Sequence, residues 1–128
     1  MSIQRVNPPS LATPLAAYCQ VTRKGNIVTS AGMIAMDSQG NVVGEGDIEA
    51  QTRQTLENLK TALESVGASL SDVVKTTIFL SDLSNYKGLN AVYSEYFGDH
   101  PAARSTIRAD IVLPSLLVEI EAMAILDD

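Results

Sequence analysis

The sequence predicts an α+β domain in which two helices cover one face of a mixed β-sheet. Two segments carry apolar residues at helical spacing, whereas five others are short, rich in β-branched residues and bounded by turn residues. Their order is ββ, with room for a third short strand, and then αβαββ, which is typical of a layered α+β fold. Because the 128 residues contain no linker-like tract, residues 1–128 are expected to form a single domain.

A β-hairpin is expected near the start of the chain. Strands are predicted at residues 18–23 and 27–30, joined across Lys24-Gly25-Asn26, whose Gly and Asn suit a tight turn. A second turn signal follows at residues 38–41. Residues 47–66 then change to the helical period, with Asp47 as the N-cap and Gly67 just after the end.

The second half of the chain alternates one more helix with three strands. Residues 73–80 form a short β-branched run with apolar side chains in both alternating sets, so this strand should be covered on both faces. A helix is expected at residues 84–97, ended by Gly98. Two strands, residues 104–111 and 117–126, follow and are separated by a turn around Pro114.

Alternation in the last two strands divides their side chains between the faces of the sheet. The small aliphatic sets, which begin at Ser105 and Val118, are expected under the helices, leaving Arg104 and Glu119 on the other face. Two helices cannot cover both faces of a sheet of five or six strands. Other copies of the chain are therefore expected to cover the second face, which predicts a homo-oligomer.

Composition and charge exclude several classes of function. With a net charge of −6 and a pI near 4.6, the chain lacks the basic balance of a nucleic-acid-binding protein. One His and one Cys rule out the usual zinc spacings and disulfide frameworks, so no metal is expected. No apolar run is long enough to span a membrane, and the single cysteine suits a cytoplasmic location.

Arg104 and Glu119 are the residues most suited to chemistry. Arg104 opens a strand directly after a Pro101-Ala102-Ala103 loop, and Glu119 is expected on the neighbouring strand. A guanidinium makes two parallel hydrogen bonds to a small carboxylate, and a nearby Glu can hold or activate water. The alternative from the residues alone is a solvated cross-strand ion pair.

The chain also resembles a known family along nearly its whole length. The segment Pro101 to Ile107, then Leu113-Pro114, then Val118 to Ala124 is similar to the C-terminal signature of the Rid proteins, the reactive intermediate deaminases also called the YjgF or L-PSP family. Upstream, Gln51 to Leu59, Val73 to Leu80, Asn90 to Tyr93 and Tyr96-Phe97 follow in the order and spacing of that family.

This resemblance implies a chorismate-mutase-like fold assembled as a homotrimer, with sites in the clefts between subunits. It implies hydrolysis of enamine and imine intermediates, such as 2-aminoacrylate, to 2-oxo acids and ammonia, without a cofactor. By position, Arg104 would bind the substrate carboxylate and Glu119 would position or activate water. Four further residues would line the cleft, namely Tyr18, Ala31, Gly32 and Asn90.

Three departures from the family pattern bear on specificity. Ala16-Ala17 stands where the family usually has Gly-Pro, Ala31-Gly32-Met33 stands where it has Ser-Gly-Gln, and the Pro before Ala-Arg is displaced to Pro101. Losing the Ser hydroxyl and the Gln amide points to a bulkier or more apolar imine. Two alternatives stay open, a non-catalytic module that binds small carboxylates and, less favoured by the charge, an endoribonuclease.

Other distinctive residues have a simpler interpretation. Cys19 in a strand is expected to be a small buried hydrophobe, and His100 to lie on a surface loop. The aromatic residues of the second helix are at helical spacing, which predicts core packing for the set Tyr86, Tyr93, Tyr96 and Phe97.

Overall fold

The computed structural model describes residues 2–127 and has the predicted α+β architecture. Its mixed sheet of seven strands has the order β1-β2-β3-β7-β5-β6, and the short strand β4 pairs with β7. The two helices pack against each other, and α1 also contacts β3, β4 and β7. The elements are β1 Gln4–Val6, β2 Val21–Lys24, β3 Ile27–Ser30, β4 Met33–Ile34, α1 Ile48–Glu64, β5 Val73–Leu80, α2 Tyr86–Phe97, β6 Ala103–Arg108 and β7 Val118–Ile125.

Both helices form where the apolar period predicts them. Asp47 is the N-cap of α1, and its side chain accepts a hydrogen bond from the Ala50 N–H at 3.1 Å. Gly67, three residues beyond α1, has a φ of +85°, in the left-handed region that glycine tolerates. Helix α2 begins at Tyr86 and not at Ser84, because Ser84 lies in a 3₁₀ turn capped by Asp82.

The N-terminal strands differ from the prediction. Strand β1, which pairs with β2, was not expected, and β2 begins at Val21 and not at Tyr18. The reason lies at Gln20, whose N–H donates to the Asn7 side chain at 2.9 Å and whose amide donates to the Ala12 carbonyl at 3.0 Å. Loop groups therefore take the hydrogen bonds that a strand would have made, and Tyr18 lies in a loop.

The last strands are shorter than predicted. Strand β6 ends at Arg108 and not at Ile111, because its only partner β5 ends at Leu80, and β7 covers Val118–Ile125. Strand β5 matches the prediction and pairs with β7 on one side and, in parallel, with β6 on the other. Strand β6 is consequently an edge strand, separated from β7 by β5.

The face assignment of β6 in the prediction was wrong. Thr76 pairs with Arg104, and Ile78 with Thr106, so Arg104 shares the helix-covered face with the fully buried Ile78. Ser105 and Ile107, expected under the helices, lie on the opposite face. Alternation alone could not reveal this, because a pattern of period two does not say which face the helices cover.

The face of the sheet that lacks helices is only partly covered in this chain. In β5 the residues Thr76, Ile78 and Leu80 are buried, whereas Thr77 and Phe79 are partly exposed, so the expectation of cover on both faces fails for the isolated chain. We call this surface the open face; its apolar members are Ile27, Phe79, Ile107, Met123 and Ile125. Within residues 2–127, neither helix has the length and apolarity needed to cross a bilayer.

Candidate functional site

Arg104 lies at the start of β6 and is held there by two tyrosines of α2. Its Nη2 donates a hydrogen bond to the Tyr86 hydroxyl at 3.0 Å. The guanidinium carbon also lies 4.9 Å from the centre of the Tyr93 ring and 5.6 Å from that of Tyr86. Cation–π contacts of this kind fix the position of a guanidinium without neutralising it.

Tyr93 is itself held in position by a residue of the sheet. Its hydroxyl shares a 2.7 Å hydrogen bond with Thr76 of β5, and burial raises the pKa of Tyr93, which keeps the phenol neutral. Tyr86, Asn90 and Tyr93 are spaced i, i+4 and i+7 and so share one stripe of α2. Asn90 therefore lies on the stripe that faces Arg104.

Among residues 2–127, no carboxylate pairs with Arg104. The ion pair that the described part of the chain contains is Arg53–Glu95, at 2.9 Å on the helix surface. An exposed strand arginine would ordinarily pair with a carboxylate across the ladder. The Tyr-supported guanidinium of Arg104 is instead free to receive a carboxylate from outside the chain.

Glu119 lies on β7, opposite Phe79 of β5 and Ile34 of β4. Its carboxylate packs directly on Gly32, where an added Cβ would overlap the carboxylate oxygen. Burial raises the pKa of the Glu119 carboxyl, and the negative charge of Glu121 adds to the increase. Gly32 thus provides the space in which a half-buried carboxylate is held.

Tyr18 and Gly32 border an open groove of about 700 Å³. Tyr18 is 54% exposed in the loop before β2, and the backbone N–H of Ala31 donates to the Gln20 carbonyl at 2.8 Å. The predicted residues Tyr18, Ala31, Gly32 and Glu119 therefore lie near one another. We call this group the acid side of the site, and Arg104, Tyr86, Asn90 and Tyr93 the arginine side.

The two sides do not meet within one chain. Glu119 is on the open face of β7, whereas Arg104 is on the helix-covered face of β6, with β5 between the two strands. The expectation that Glu119 lies on the strand next to Arg104 was wrong, because the chain returns through β7 on the other side of β5. A site that uses both residues needs a second copy of the chain.

Two residues of the arginine side escaped the sequence analysis. Tyr93 is buried in the core as expected, at 7% exposure, but its ring also contacts Arg104. Tyr86 was expected in the core, but it is 45% exposed and its hydroxyl accepts a hydrogen bond from Arg104. The signal was present in their spacing around Asn90, which already had a predicted role. Phe97 is buried as expected, whereas Tyr96 donates to Glu57 at 2.7 Å on the surface.

The remaining candidates give no second site. Cys19 is partly buried in the loop before β2, and its thiol lies 3.6 Å from the Val21 carbonyl. His100 is partly buried beside Phe97, with ring centres 6.1 Å apart. Among residues 2–127, no three His, Cys, Asp or Glu side chains gather closely enough to hold a metal ion.

Comparison with known proteins identifies the family of this chain. A family model described as Endoribonuclease L-PSP matches residues 9–126. This chain belongs to the L-PSP family, also known as the YjgF or Rid family. A RutC family protein from Pyrococcus abyssi is 41% identical over 111 residues, which are 87% of each chain.

Solved structures of other L-PSP family proteins have the same fold. A Thermotoga maritima protein is 37% identical and superposes with a TM-score of 0.92 over 98% of each chain. The YjgF gene product of E. coli is 31% identical, with a TM-score of 0.87 over 95% of this chain and 98% of its own. YyfA of Yersinia pestis, described as a Rid family protein of unknown function, is 31% identical with a TM-score of 0.90 over 98% of this chain and all of its own.

Proposed function

We propose that this protein is a cofactor-independent deaminase that hydrolyses 2-imino acids and their enamine tautomers, such as 2-aminoacrylate, to 2-oxo acids and ammonia. The observation that carries the proposal is the guanidinium of Arg104, which is held by two tyrosines on an edge strand and pairs with no carboxylate of the described residues. A small anionic substrate supplies the missing carboxylate through two parallel hydrogen bonds.

The site in this proposal lies between two copies of the chain in a homotrimer. One copy contributes the arginine side and the next contributes the acid side, because one chain holds Arg104 and Glu119 on opposite faces of its sheet. The apolar residues of the open face give the copies a surface on which to associate. Tyr18, Ala31, Gly32 and Asn90 line the cleft in this arrangement.

The reaction requires the protein to orient the substrate and the water and to transfer protons. The imine reacts in its N-protonated form: the water oxygen bonds to the imine carbon as Glu119 accepts one proton of that water, which gives a neutral carbinolamine. Glu119 returns this proton to the amino nitrogen, the C–N bond breaks to release ammonia, and the hydroxyl proton passes to the Glu119 carboxylate as the C=O bond of the 2-oxo acid forms. A carboxyl whose pKa is raised by burial suits both transfers near neutral pH.

The proposal also includes a cytoplasmic location and no bound cofactor. An imine carbon accepts water without electrophilic help from a metal or an organic group, provided that the water is positioned. The only cysteine of the chain, Cys19, is a free thiol, as suits a reducing compartment.

The decisive test measures release of 2-oxo acid while an amino-acid dehydratase generates 2-aminoacrylate in situ. We expect the wild-type protein to accelerate release above the no-enzyme rate, and Arg104→Ala to lower kcat/KM by about 100-fold or more, since a charge-assisted bidentate contact is lost. Arg108→Ala is the matched control. Arg108 lies on the same face of β6, four residues after Arg104, and is exposed.

The same two proteins, wild type and Arg104→Ala, also distinguish the deaminase from two alternative functions. Binding of 2-oxo acids that is lost in Arg104→Ala, with no turnover by the wild type, would replace the deaminase with a non-catalytic binding module. The family model carries the description endoribonuclease, so RNA cleavage is the second alternative. The net charge of −6 opposes it, because phosphate binding requires clustered basic residues.

A further inference from the structure

The groove that begins at Gly32 is far larger than the smallest imines require. It has a volume of about 700 Å³ and runs between the loop before β2 and the loop between β6 and β7. Gly32 and Tyr18 belong both to this groove and to the acid side, so the groove connects to the Glu119 carboxylate through Gly32, on which that carboxylate packs.

Most of the groove wall is apolar. It is formed mainly by Leu11, Leu15, Met33, Met36, Val112 and Leu113. Met33 is 3% exposed and follows Gly32 directly in the chain, whereas Leu15 and Val112 are 98% and 76% exposed. Such large exposed aliphatic groups beside a polar reacting centre are suited to an apolar ligand.

Two polar residues of the same wall are already hydrogen-bonded. The Asn58 amide donates to the Ile34 and Met36 carbonyls, at 2.9 Å each, and the Gln20 amide donates to the Ala12 carbonyl at 3.0 Å. These donors are therefore not available to a ligand. The other polar side chains of the lining are the hydroxyls of Thr13 and Tyr18 and the exposed turn at Ser38 and Gln39.

We infer that the site takes 2-imino acids with a long, unbranched or branched aliphatic side chain, which occupies this groove with Met33 as a specificity-determining residue. The inference rests on the proposed deaminase activity and assigns the substrate class of the same site. With the imine carbon beside Glu119, a short substituent leaves the groove filled with water. Each further methylene displaces that water and gains contact with the apolar wall.

The test is a homologous series of imines generated by an L-amino acid oxidase from alanine, 2-aminobutyrate, norvaline and norleucine. Hydrogen peroxide release measures how much imine forms, and 2-oxo acid release above the spontaneous rate gives kcat/KM. We expect kcat/KM to rise by about fourfold per methylene, the factor that corresponds to burial of one CH₂. Met33→Gln should flatten this dependence, and Met33→Leu should retain it.

The outcomes separate this inference from the proposed function. Hydrolysis of all four imines with a flat or falling dependence on chain length overturns the inference and leaves the deaminase intact. A neighbouring copy that fills the groove in the assembly would give this result. No acceleration for any imine overturns both. If Met33→Gln fails to fold, the wild-type series decides alone, together with thermal shifts by 2-oxo acids of the same chain lengths.

Discussion

At the scale of single residues, Arg104 and Glu119 illustrate what a sequence reveals and what it hides. Both residues could be singled out from their strands and from the resemblance to the Rid proteins, but alternation put Arg104 on the wrong face of the sheet. Their supports could not, because Tyr86 and Tyr93 come from a helix and Gly32 from a loop. Contacts between residues distant in sequence decide whether an arginine is solvated or held.

We expect Glu119 to increase deaminase activity but to decrease the stability of the folded protein at neutral pH. Burial raises its pKa in the folded state, so folding favours the protonated carboxyl, and stability falls as the pH rises through this raised pKa. Glu119→Gln removes the ionisable group. We expect deaminase activity to fall by about 10²-fold to 10⁴-fold, the usual contribution of general acid–base catalysis, while resistance to urea at pH 7 increases.

Urea titrations at several pH values check this prediction. The stability gained by Glu119→Gln should disappear below pH 4, where the carboxyl is protonated in both the folded and the unfolded protein. Glu45→Gln is the matched control, since Glu45 is an exposed carboxylate in the loop before α1, and this change should leave stability nearly unchanged. A less stable Glu119→Gln variant at pH 7 would show that Glu119 is stabilised as an anion by a neighbouring copy.

At the scale of elements, α1 holds the groove through two buried amides. Gln51 donates to the Ser115 carbonyl at 2.8 Å and accepts from the Leu117 N–H at 2.8 Å, which ties down the loop between β6 and β7. Asn58, two turns later, ties down β4 and the residues after it through the Ile34 and Met36 carbonyls. The helix thus positions both walls with side chains that a hydrophobic pattern does not register.

Replacing Asn58 therefore acts on stability and on the groove together. Asn58 is 8% exposed, and Asn58→Ala leaves two carbonyls without their donor. We expect the free energy of unfolding to fall by about 1–3 kcal/mol, the usual cost of leaving buried polar groups unpaired. Urea denaturation at matched protein concentration measures it. Asn41→Ala, in an exposed turn, is the control and should change little, so equal losses in both variants would refute the role of Asn58.

Among the elements, those with strong local signals could be predicted. Both helices, strand β5 and the β2–β3 hairpin follow from periodicity, capping and turn residues. Strand β1 is only three residues long and has no such signal, and the ends of β2 and β6 depend on hydrogen bonds to other parts of the chain. The face of β6 was misassigned for the same reason, since a pattern of period two does not say which face the helices cover.

At the scale of the whole molecule, the open face connects assembly to activity. It holds exposed apolar side chains beside the charged residues Lys75 and Glu121, and it contains Glu119 of the acid side. That residues 1–128 fold as one domain, and that three copies associate, stay predictions. If both hold, a change that separates the copies must abolish activity even though the residues of the site are intact.

Met123→Glu is designed to make that separation without unfolding the chain. Met123 is 41% exposed on the open face and pairs with Lys75 of β5, so a glutamate there gains a cross-strand partner within its own chain. Between copies it adds negative charge to a surface that already carries Glu119 and Glu121, and buries a carboxylate in an apolar contact. Light scattering should give the mass of one chain in place of three, with near-native circular dichroism and loss of deaminase activity.

Ser71→Glu adds the same charge at an exposed position outside the open face and should keep the assembly. A Met123→Glu variant that is fully active as a single chain would contradict the shared site, because Arg104 and Glu119 of one chain cannot reach the same substrate.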